Sequence, residues 1–217
     1  MSEYYYTALG DSITSESTSY MFNGFSYQLY KYLEKCHDGV IFKNLAKPSL
    51  TSHGLLMQIR KSTAVRNSIK KADIITITIG GNNLLKGTVN NYTNINKEIS
   101  EAGVNRFKKD WPVILSYIRG PIASHADIYV LTLYNPFLYS DPNYKLADHY
   151  IGKINSIIKN PILVNAYRYK VVDIYDDFES RQGKTWTFFN TMLRDPHPNL
   201  QGHLQIAKAF INSISST

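Results

Sequence analysis

The chain has 217 residues, of which 43% are hydrophobic, and its formal net charge is +7. Its length suits one domain with a sizeable core, and no internal repeat, low-complexity tract or Pro/Gly/Ser-rich linker divides it. We therefore predict a single domain over residues 1–217. The lone cysteine, Cys36, excludes an internal disulfide, and no apolar run approaches the roughly 20 residues that a membrane-spanning helix needs.

The positive charge favours encounters with anionic partners. The lysines and arginines are scattered in short pairs such as Lys70-Lys71, without the basic, aromatic-rich blocks of many nucleic-acid-binding proteins. We therefore expect no nucleic-acid partner, while peripheral contact with anionic lipid stays open. Residues 1–12 show neither the basic nor the apolar region of a signal peptide, so we expect a cytoplasmic location.

Strand-like and helix-like stretches alternate along the chain. Runs rich in Val, Ile, Tyr and Thr predict five strands, over residues 4–9, 40–45, 73–79, 127–134 and 170–174. Amphipathic stretches predict helices over residues 24–34, 54–70, 105–119, 144–165 and 201–215, with Pro161 ending or kinking the fourth. This alternation predicts an α/β fold whose parallel sheet is covered on both faces, with ligands at the carboxyl ends of the strands.

The first predicted strand is followed by Gly10-Asp11-Ser12. A serine at a strand end can project its hydroxyl and its backbone N–H into the crevice, and Gly10 allows the chain to turn tightly. Taken alone, this tripeptide is more often a turn with a helix cap.

The third predicted strand is followed by Gly80-Gly81-Asn82-Asn83. The glycines permit a tight exit from the strand, and the Asn82 amide offers a donor of the kind that an oxyanion hole needs. The alternative is that Asn82 and Asn83 form a turn that caps the next segment.

The last predicted helix is preceded by a histidine, His197, between two prolines. The prolines stiffen the loop, and the nearby carboxylate of Asp195 can fix the tautomer and orientation of an imidazole that acts as a general base. The alternative is a capped turn, in which Asn199 caps the helix and His197 is an ordinary surface residue.

The order and spacing of these blocks resemble those of a known family. No Gly-x-Ser-x-Gly sequence occurs, which argues against the ordinary α/β-hydrolase arrangement. Residues 10–12, 44–46, 80–83 and 195–199 instead resemble the ordered blocks of SGNH hydrolases, also called GDSL esterases. Within that family the chain is most similar to small bacterial esterases of the kind that includes spore-germination lipases. The resemblance implies a flavodoxin-like three-layer α/β/α sandwich with a five-stranded parallel sheet.

The resemblance also implies the residues of the site. Ser12 is expected to be the nucleophile, His197 its base and Asp195 the acid that orients the base. The oxyanion hole is expected to use the backbone N–H groups of Ser12 and Ser49 and the side chain of Asn82. No metal or organic cofactor is implied.

The sequence departs from the family pattern in the second and the last block. Ser49 stands where the family usually has glycine, which narrows the backbone geometry but keeps the N–H. Only Pro196 separates Asp195 from His197, where the family usually has two residues, and Arg194 stands where the acid is expected. Other carboxylates therefore stay open as the triad acid: Asp173, Asp176 and Asp177.

In the third block, Asn83 stands where the family commonly has aspartate, a change that we expect to tune structure without removing a catalytic group.

The predicted activity is hydrolysis of carboxylic, lipid or acyl esters through an acyl-enzyme on Ser12. A carbohydrate O-deacetylase with the same residues and a non-catalytic, flavodoxin-like binding module stay open, and the resemblance leaves a spore-associated location open. Three groups of apolar loop residues are candidates for an acyl pocket or a lipid-contacting rim, or alternatively pack their loops onto the domain: Tyr20, Met21 and Phe22; Tyr134, Phe137, Leu138 and Tyr139; Trp186, Phe188 and Phe189.

Overall fold

A parallel sheet lies at the centre of the structure, a computed structural model that describes residues 3–15, 23–89, 92–180, 186–189 and 194–216. The runs of β-branched and aromatic residues form the strands, as their propensity favours. In chain order the strands are β1 (Tyr4–Gly10), β2 (Val40–Asn44), β3 (Ile74–Thr78), the short antiparallel pair β4 (Thr88–Val89) and β5 (Asn94–Ile95), β6 (Asp127–Leu131) and β7 (Tyr169–Val172).

The central sheet contains five strands in the order β2-β1-β3-β6-β7, and every neighbouring pair is parallel. The predicted α/β fold with a five-stranded parallel sheet is therefore confirmed. In this arrangement all five strands end at the same edge. Gly10, the last residue of β1, pairs with Thr78, the last residue of β3, so the loops that follow these two strands begin side by side.

Helices connect the strands. Within the described ranges, no helix combines the length and apolarity that crossing a bilayer requires. The helices are α1 (Ser12–Ser15), α2 (Phe25–Cys36), α3 (Ser52–Lys61), α4 (Thr63–Lys71), α5 (Gly81–Leu85), α6 (Lys97–Arg119), α7 (Tyr144–Ile158), α8 (Pro161–Tyr167), α9 (Tyr175–Ser180) and α10 (Leu200–Ser215).

Two hydrophobic cores lie on opposite faces of the sheet, because successive side chains of a strand point to opposite faces. On one face, buried residues such as Ile75 in β3 pack with α3, α4, α6 and α7, where Trp111 is fully buried. On the other face, Tyr6 in β1 packs with α2, α9 and α10, where Phe210 is fully buried. The sheet and the helices packed on each of its two faces form the three layers of an α/β/α sandwich.

The structure corrects two of the predicted helices. The helix predicted over residues 54–70 is two helices, because Ser62 is extended and its side chain accepts a hydrogen bond from the Val65 N–H, so that it caps α4. The helix predicted to begin at residue 105 begins at Lys97, where Asn96 caps it by accepting from the Ile99 N–H. Pro161 acts as expected, since α7 ends at Ile158 and the proline occupies the first turn of α8.

Candidate active site

A sharp turn at the end of β1 places Ser12 at the carboxyl edge of the sheet. Gly10 has φ 145°, and a Cβ atom at this position would lie 2.3 Å from the carbonyl oxygen of Thr78. Only glycine fits here, because other residues rarely adopt this φ and there is no room for a side chain. The N–H of Asp11 then donates to the same Thr78 oxygen at 3.1 Å, and Ser12 begins α1.

Ser12, His197 and Asp195 form a continuous hydrogen-bonded chain. The distance between Ser12 Oγ and His197 Nε2 is 2.8 Å, and that between His197 Nδ1 and Asp195 Oδ1 is 2.5 Å. The backbone N–H of His197 donates to the same Asp195 oxygen at 2.9 Å. Burial by itself would raise the pKa of Asp195, but the hydrogen bonds from the ring and backbone of His197 outweigh it and hold this pKa below its ordinary value.

The shortened spacing between acid and histidine is thus accommodated within a tight turn. One carboxylate oxygen of Asp195 binds both the ring and the backbone N–H of the residue two positions later. The other candidate acids lie elsewhere: Asp173 accepts from the Thr132 hydroxyl at 2.9 Å and pairs with Lys159. Asp176 and Asp177 lie in the first turn of α9. The structure therefore brings Asp195 to His197; its role stays a prediction.

Hydrogen bonds hold the loop that carries His197 on both sides of the histidine. The buried hydroxyl of Tyr134 donates to the carbonyl oxygen of Pro196 at 2.7 Å. After Pro198, the side chain of Asn199 accepts from the Gly202 N–H at 3.1 Å and caps α10, as the alternative interpretation of this loop anticipated. The capped turn and the site histidine therefore coexist in one loop.

Asn82 reaches the same site from the end of β3. Its side-chain N–H₂ donates to the carbonyl oxygen of Leu50 at 3.1 Å, and Asn82 lines one pocket together with Ser12 and His197. An amide group has two N–H donors, so the bond to Leu50 fixes the orientation of the amide and leaves the second donor available for a ligand.

Ser49 lies one residue before Leu50, and the structure places it differently from the other site residues. It is exposed and does not line the pocket with Ser12. Its φ of 60° is in the left-handed region that glycine adopts freely. Ser49 therefore keeps a glycine-like backbone at the position where glycine was expected, and its place in an oxyanion hole stays a prediction.

A buried polar network that the sequence analysis missed holds this side of the site. The Asn83 side chain accepts from the Ser52 N–H and donates to the Ser52 hydroxyl, both at 2.9 Å, and also donates to the Gly103 carbonyl oxygen at 3.2 Å. The Ser52 hydroxyl donates to Asp110 at 3.0 Å. The network joins the starts of α3 and α5 to α6, and so fixes the segment that holds Asn82.

A carboxyl group, that of Asp11, is buried directly behind Ser12. Burial raises the pKa of Asp11 to about 7, although the Ile13 N–H, the charge of His197 and the Thr78 hydroxyl each lower it. The folded state therefore holds a proton on Asp11 that the unfolded chain has already released above pH 4. The stabilisation from this proton is complete at low pH and is lost as the pH rises from about 4 to about 7.

We expect the substitution Asp11→Asn to remove this loss of stability. An asparagine oxygen can still accept from the Ile13 N–H, but the side chain does not ionise. The free energy of unfolding of the variant should fall less than that of the wild type between pH 5 and pH 8, by an amount on the order of 3 kcal/mol at most. Urea denaturation at several pH values measures this, with Asp38→Asn, at an exposed carboxylate, as the control. Parallel pH profiles for wild type and Asp11→Asn would contradict the prediction.

An apolar pocket extends from Ser12 into the side of the domain. Its empty volume is about 740 Å³ when the part open to solvent is included. Beyond the site residues its walls come from α5, the β4–β5 pair, the start of α6, the loop after β6, and α7. The apolar residues of these walls are Leu84, Leu85, Ile95, Leu133, Pro136, Phe137, Ala147 and Ile151.

The predicted loop residues have different places around this pocket. Tyr134 and Phe137 line it, and Phe189 packs against Phe137 with ring centroids 4.8 Å apart. Trp186 packs on Phe178 in the opposite core. Leu138 and Phe188 are partly buried and Tyr139 is exposed, and none of the three lines the pocket. Tyr20, Met21 and Phe22 lie outside the described residues.

Comparison with known proteins identifies the family. The GDSL-like lipase/acylhydrolase family profile matches residues 6–210. The chain belongs to this family and is a carboxylic ester hydrolase.

The spore germination lipase LipC of Bacillus licheniformis is 31% identical over 182 residues, 82% of each chain. The crystal structure of the lipase Lip_vut3 from a goat rumen metagenome is similar with a TM-score of 0.76 and 26% identity, over 96% of each chain. The acetylxylan esterase Axe2 of Geobacillus stearothermophilus shares the fold, with a TM-score of 0.69 and 17% identity over 97% of this chain and 94% of that chain.

Proposed function

We propose that this protein is a serine esterase or lipase that hydrolyses lipid or fatty-acyl esters through an acyl-enzyme on Ser12. The observation that carries the proposal is the hydrogen-bonded chain Ser12–His197–Asp195 at the mouth of an apolar pocket. A non-catalytic binding module would have no need for a serine hydroxyl 2.8 Å from an imidazole nitrogen that is itself paired with a carboxylate.

In the first half-reaction, Ser12 Oγ attacks the ester carbonyl carbon while His197 Nε2 accepts the hydroxyl proton. The carbonyl oxygen becomes an oxyanion, for which we propose three donors: the N–H groups of Ser12 and Ser49 and the second amide N–H of Asn82. Asp195 stabilises the imidazolium through Nδ1. When the oxyanion collapses, the bond from carbon to the alcohol oxygen breaks, and the alcohol leaves with the proton from His197.

The second half-reaction repeats these steps with water. His197 accepts a proton from the water as its oxygen attacks the acyl-enzyme carbonyl, and the same donors hold the second oxyanion. Breaking the bond between the acyl carbon and Ser12 Oγ then releases the carboxylic acid and returns the proton to the serine. Every protein group that takes part in these two half-reactions belongs to the described residues of the chain.

The apolar walls of the pocket favour an acyl chain over an acetyl group, which would fill only the region next to Ser12. The naming of the relative at 31% identity as a spore germination lipase supports a lipid ester and a spore-associated location. The likeness to an acetylxylan esterase, at 17% identity, extends to the fold alone. The net charge of +7 favours an anionic lipid surface as a partner, which the salt sensitivity of binding to anionic vesicles would test.

The substitution Ala147→Leu tests the acyl-chain assignment. Ala147 is a small, buried residue of α7 that lines the pocket, so a larger side chain should shorten the space for the acyl chain. We expect kcat/KM for p-nitrophenyl octanoate to fall about tenfold or more, which is the usual effect when one or two methylene groups of a substrate no longer fit an apolar pocket. We expect kcat/KM for p-nitrophenyl acetate to stay within about twofold of the wild-type value.

Gly152→Ala is the matched control on the same helix, because a Cβ atom there meets nothing within 4 Å. It should change neither rate. Equal losses on both esters in Ala147→Leu would contradict the assignment. A wild-type protein that cleaves acetylated oligosaccharides and shows no activity on the octanoate would instead support the O-deacetylase.

A further inference from the structure

Arg194, the residue that stands where the family's acid was expected, is anchored away from the site. Its Nη2 donates to Asp141 Oδ2 and to the carbonyl oxygen of Tyr92, both at 2.8 Å. Its guanidinium also lies over the ring of Phe189, 4.9 Å from the centroid. The side chain of Arg194 is 22% exposed and that of Asp141 is 8% exposed, so this ion pair is largely removed from water.

The partners of Arg194 are themselves fixed. The other carboxylate oxygen of Asp141 accepts from the Asn143 N–H at 2.8 Å. The Asn143 side chain donates to the carbonyl oxygen of Thr93 at 3.0 Å. Three segments therefore meet at Arg194: the loop before α7, the segment between β4 and β5, and the loop that carries His197.

Very little chain separates this anchor from the site. Arg194 directly precedes Asp195, and its backbone is in the left-handed region with φ 44°. On the other side of Asp195, the carbonyl oxygen of Pro196 is held by the Tyr134 hydroxyl. Asp195 thus lies between two fixed points, and its single oxygen must meet both the ring and the backbone N–H of His197.

We propose that Arg194 is a positioning residue. Through its ion pair with Asp141, it keeps the Asp195 carboxylate aligned with Nδ1 of His197. The proposal rests on the function proposed above. It accounts for how an acid only two residues before the histidine stays aligned with Nδ1, because a misplacement of about 1 Å at a catalytic group can cost roughly 100-fold in rate.

The pair also keeps the guanidinium away from the acid. If Asp141 is neutralised, the nearest carboxylate in sequence to the released Arg194 is that of Asp195, and an arginine fork binds carboxylates strongly. Asp141→Asn and Arg194→Gln should therefore each lower activity, and the double variant should lose no more than the worse single variant, since the two residues act as a unit. Arg194→Lys keeps the charge but not the fork, and should fall between wild type and Arg194→Gln.

The experiment measures kcat and KM for a p-nitrophenyl ester, together with the downfield proton resonance of the hydrogen bond between His197 Nδ1 and Asp195. For Arg194→Gln and Asp141→Asn we expect kcat to fall about 10- to 100-fold with KM within about twofold, and the resonance to broaden or shift. The matched control is Arg119→Gln. Arg119 also ties loops together, by donating to the carbonyl oxygens of Ser124, Ala126, Tyr167 and Arg168 next to the amino-terminal ends of β6 and β7.

Arg119→Gln should lower the melting temperature without changing kcat or the resonance. The proposal is overturned if folded Arg194→Gln and Arg194→Lys keep wild-type kcat and an unchanged resonance, or if Arg119→Gln lowers kcat equally. Failure of the underlying function is distinct: wild-type protein would then be inactive on the ester, while the resonance and its response to Arg194→Gln would still report on the positioning.

Discussion

The substitution Ser12→Ala is expected to lower kcat for ester hydrolysis by roughly 10⁴- to 10⁶-fold, because it removes the atom that forms the acyl-enzyme. The fold should be retained, since Ser12 is partly exposed and the turn that places it depends on Gly10. Steady-state rates with a p-nitrophenyl ester measure the effect. Ser15→Ala is the matched control, because Ser15 lies at the other end of α1 and its hydroxyl donates to the Ser12 carbonyl oxygen, at 3.3 Å.

Ser15→Ala should retain kcat within a few-fold of wild type. A Ser12→Ala protein that kept a tenth or more of the wild-type rate would show that another nucleophile or an activated water carries the reaction. Equal losses in both serine variants would attribute the effect to α1 as a structural element.

The second large effect is expected for Asn82→Ala, with a fall in kcat of roughly 100- to 1,000-fold and little change in KM. A donor aimed at an oxyanion strengthens as negative charge develops, so its removal raises the barrier more than it weakens substrate binding. Asn82→Asp should be at least as damaging, since a carboxylate accepts hydrogen bonds and repels an oxyanion. Stopped-time assays over a range of substrate concentrations separate kcat from KM.

The control for this prediction is Asn160→Ala, which removes an asparagine that caps α8. That variant should lose about 1 kcal/mol of stability and no activity. If Asn82→Ala raised KM and left kcat unchanged, Asn82 would be a substrate-binding residue and not an oxyanion donor.

The sequence predicted the central sheet well because its inner strands, β1, β3 and β6, are largely buried on both faces. A continuous run of β-branched residues, such as that within residues 73–79, indicates a strand by its composition alone. The observed strand β3 lies within that range. The β4–β5 pair has two residues in each strand, too few to form a periodic pattern. The early start of α6 did have a signal, an asparagine cap at Asn96, but the polar first turns that follow it show no strong apolar period.

The site was predictable in its parts because parallel strands end at one edge. Ser12 follows β1 and Asn82 follows β3, so neighbouring strands bring them to one pocket with His197. Asp195 was expected beside His197, but Asp173, Asp176 and Asp177 stayed open, because the sequence does not reveal the turn that lets one Asp195 oxygen meet two donors of His197.

Contacts between segments that are distant in sequence could also not be predicted. The pair Arg194–Asp141 joins residues 53 positions apart, and the bonds between Asn83 and Ser52 join residues 31 positions apart. Neither pair has a fixed spacing or motif that a single sequence reveals. Both hold loops whose positions follow from packing of the whole domain.

The most direct test of Ser12 as the nucleophile is covalent labelling of the folded protein with a fluorophosphonate ester, followed by mass spectrometry of its peptides. An activated serine displaces fluoride and keeps the phosphonyl group on its oxygen. We expect one adduct per chain, on Ser12, with labelling slowed by orders of magnitude in His197→Ala and absent in Ser12→Ala. An adduct on another residue, or no adduct on folded wild-type protein, would contradict the assignment of Ser12 as the nucleophile.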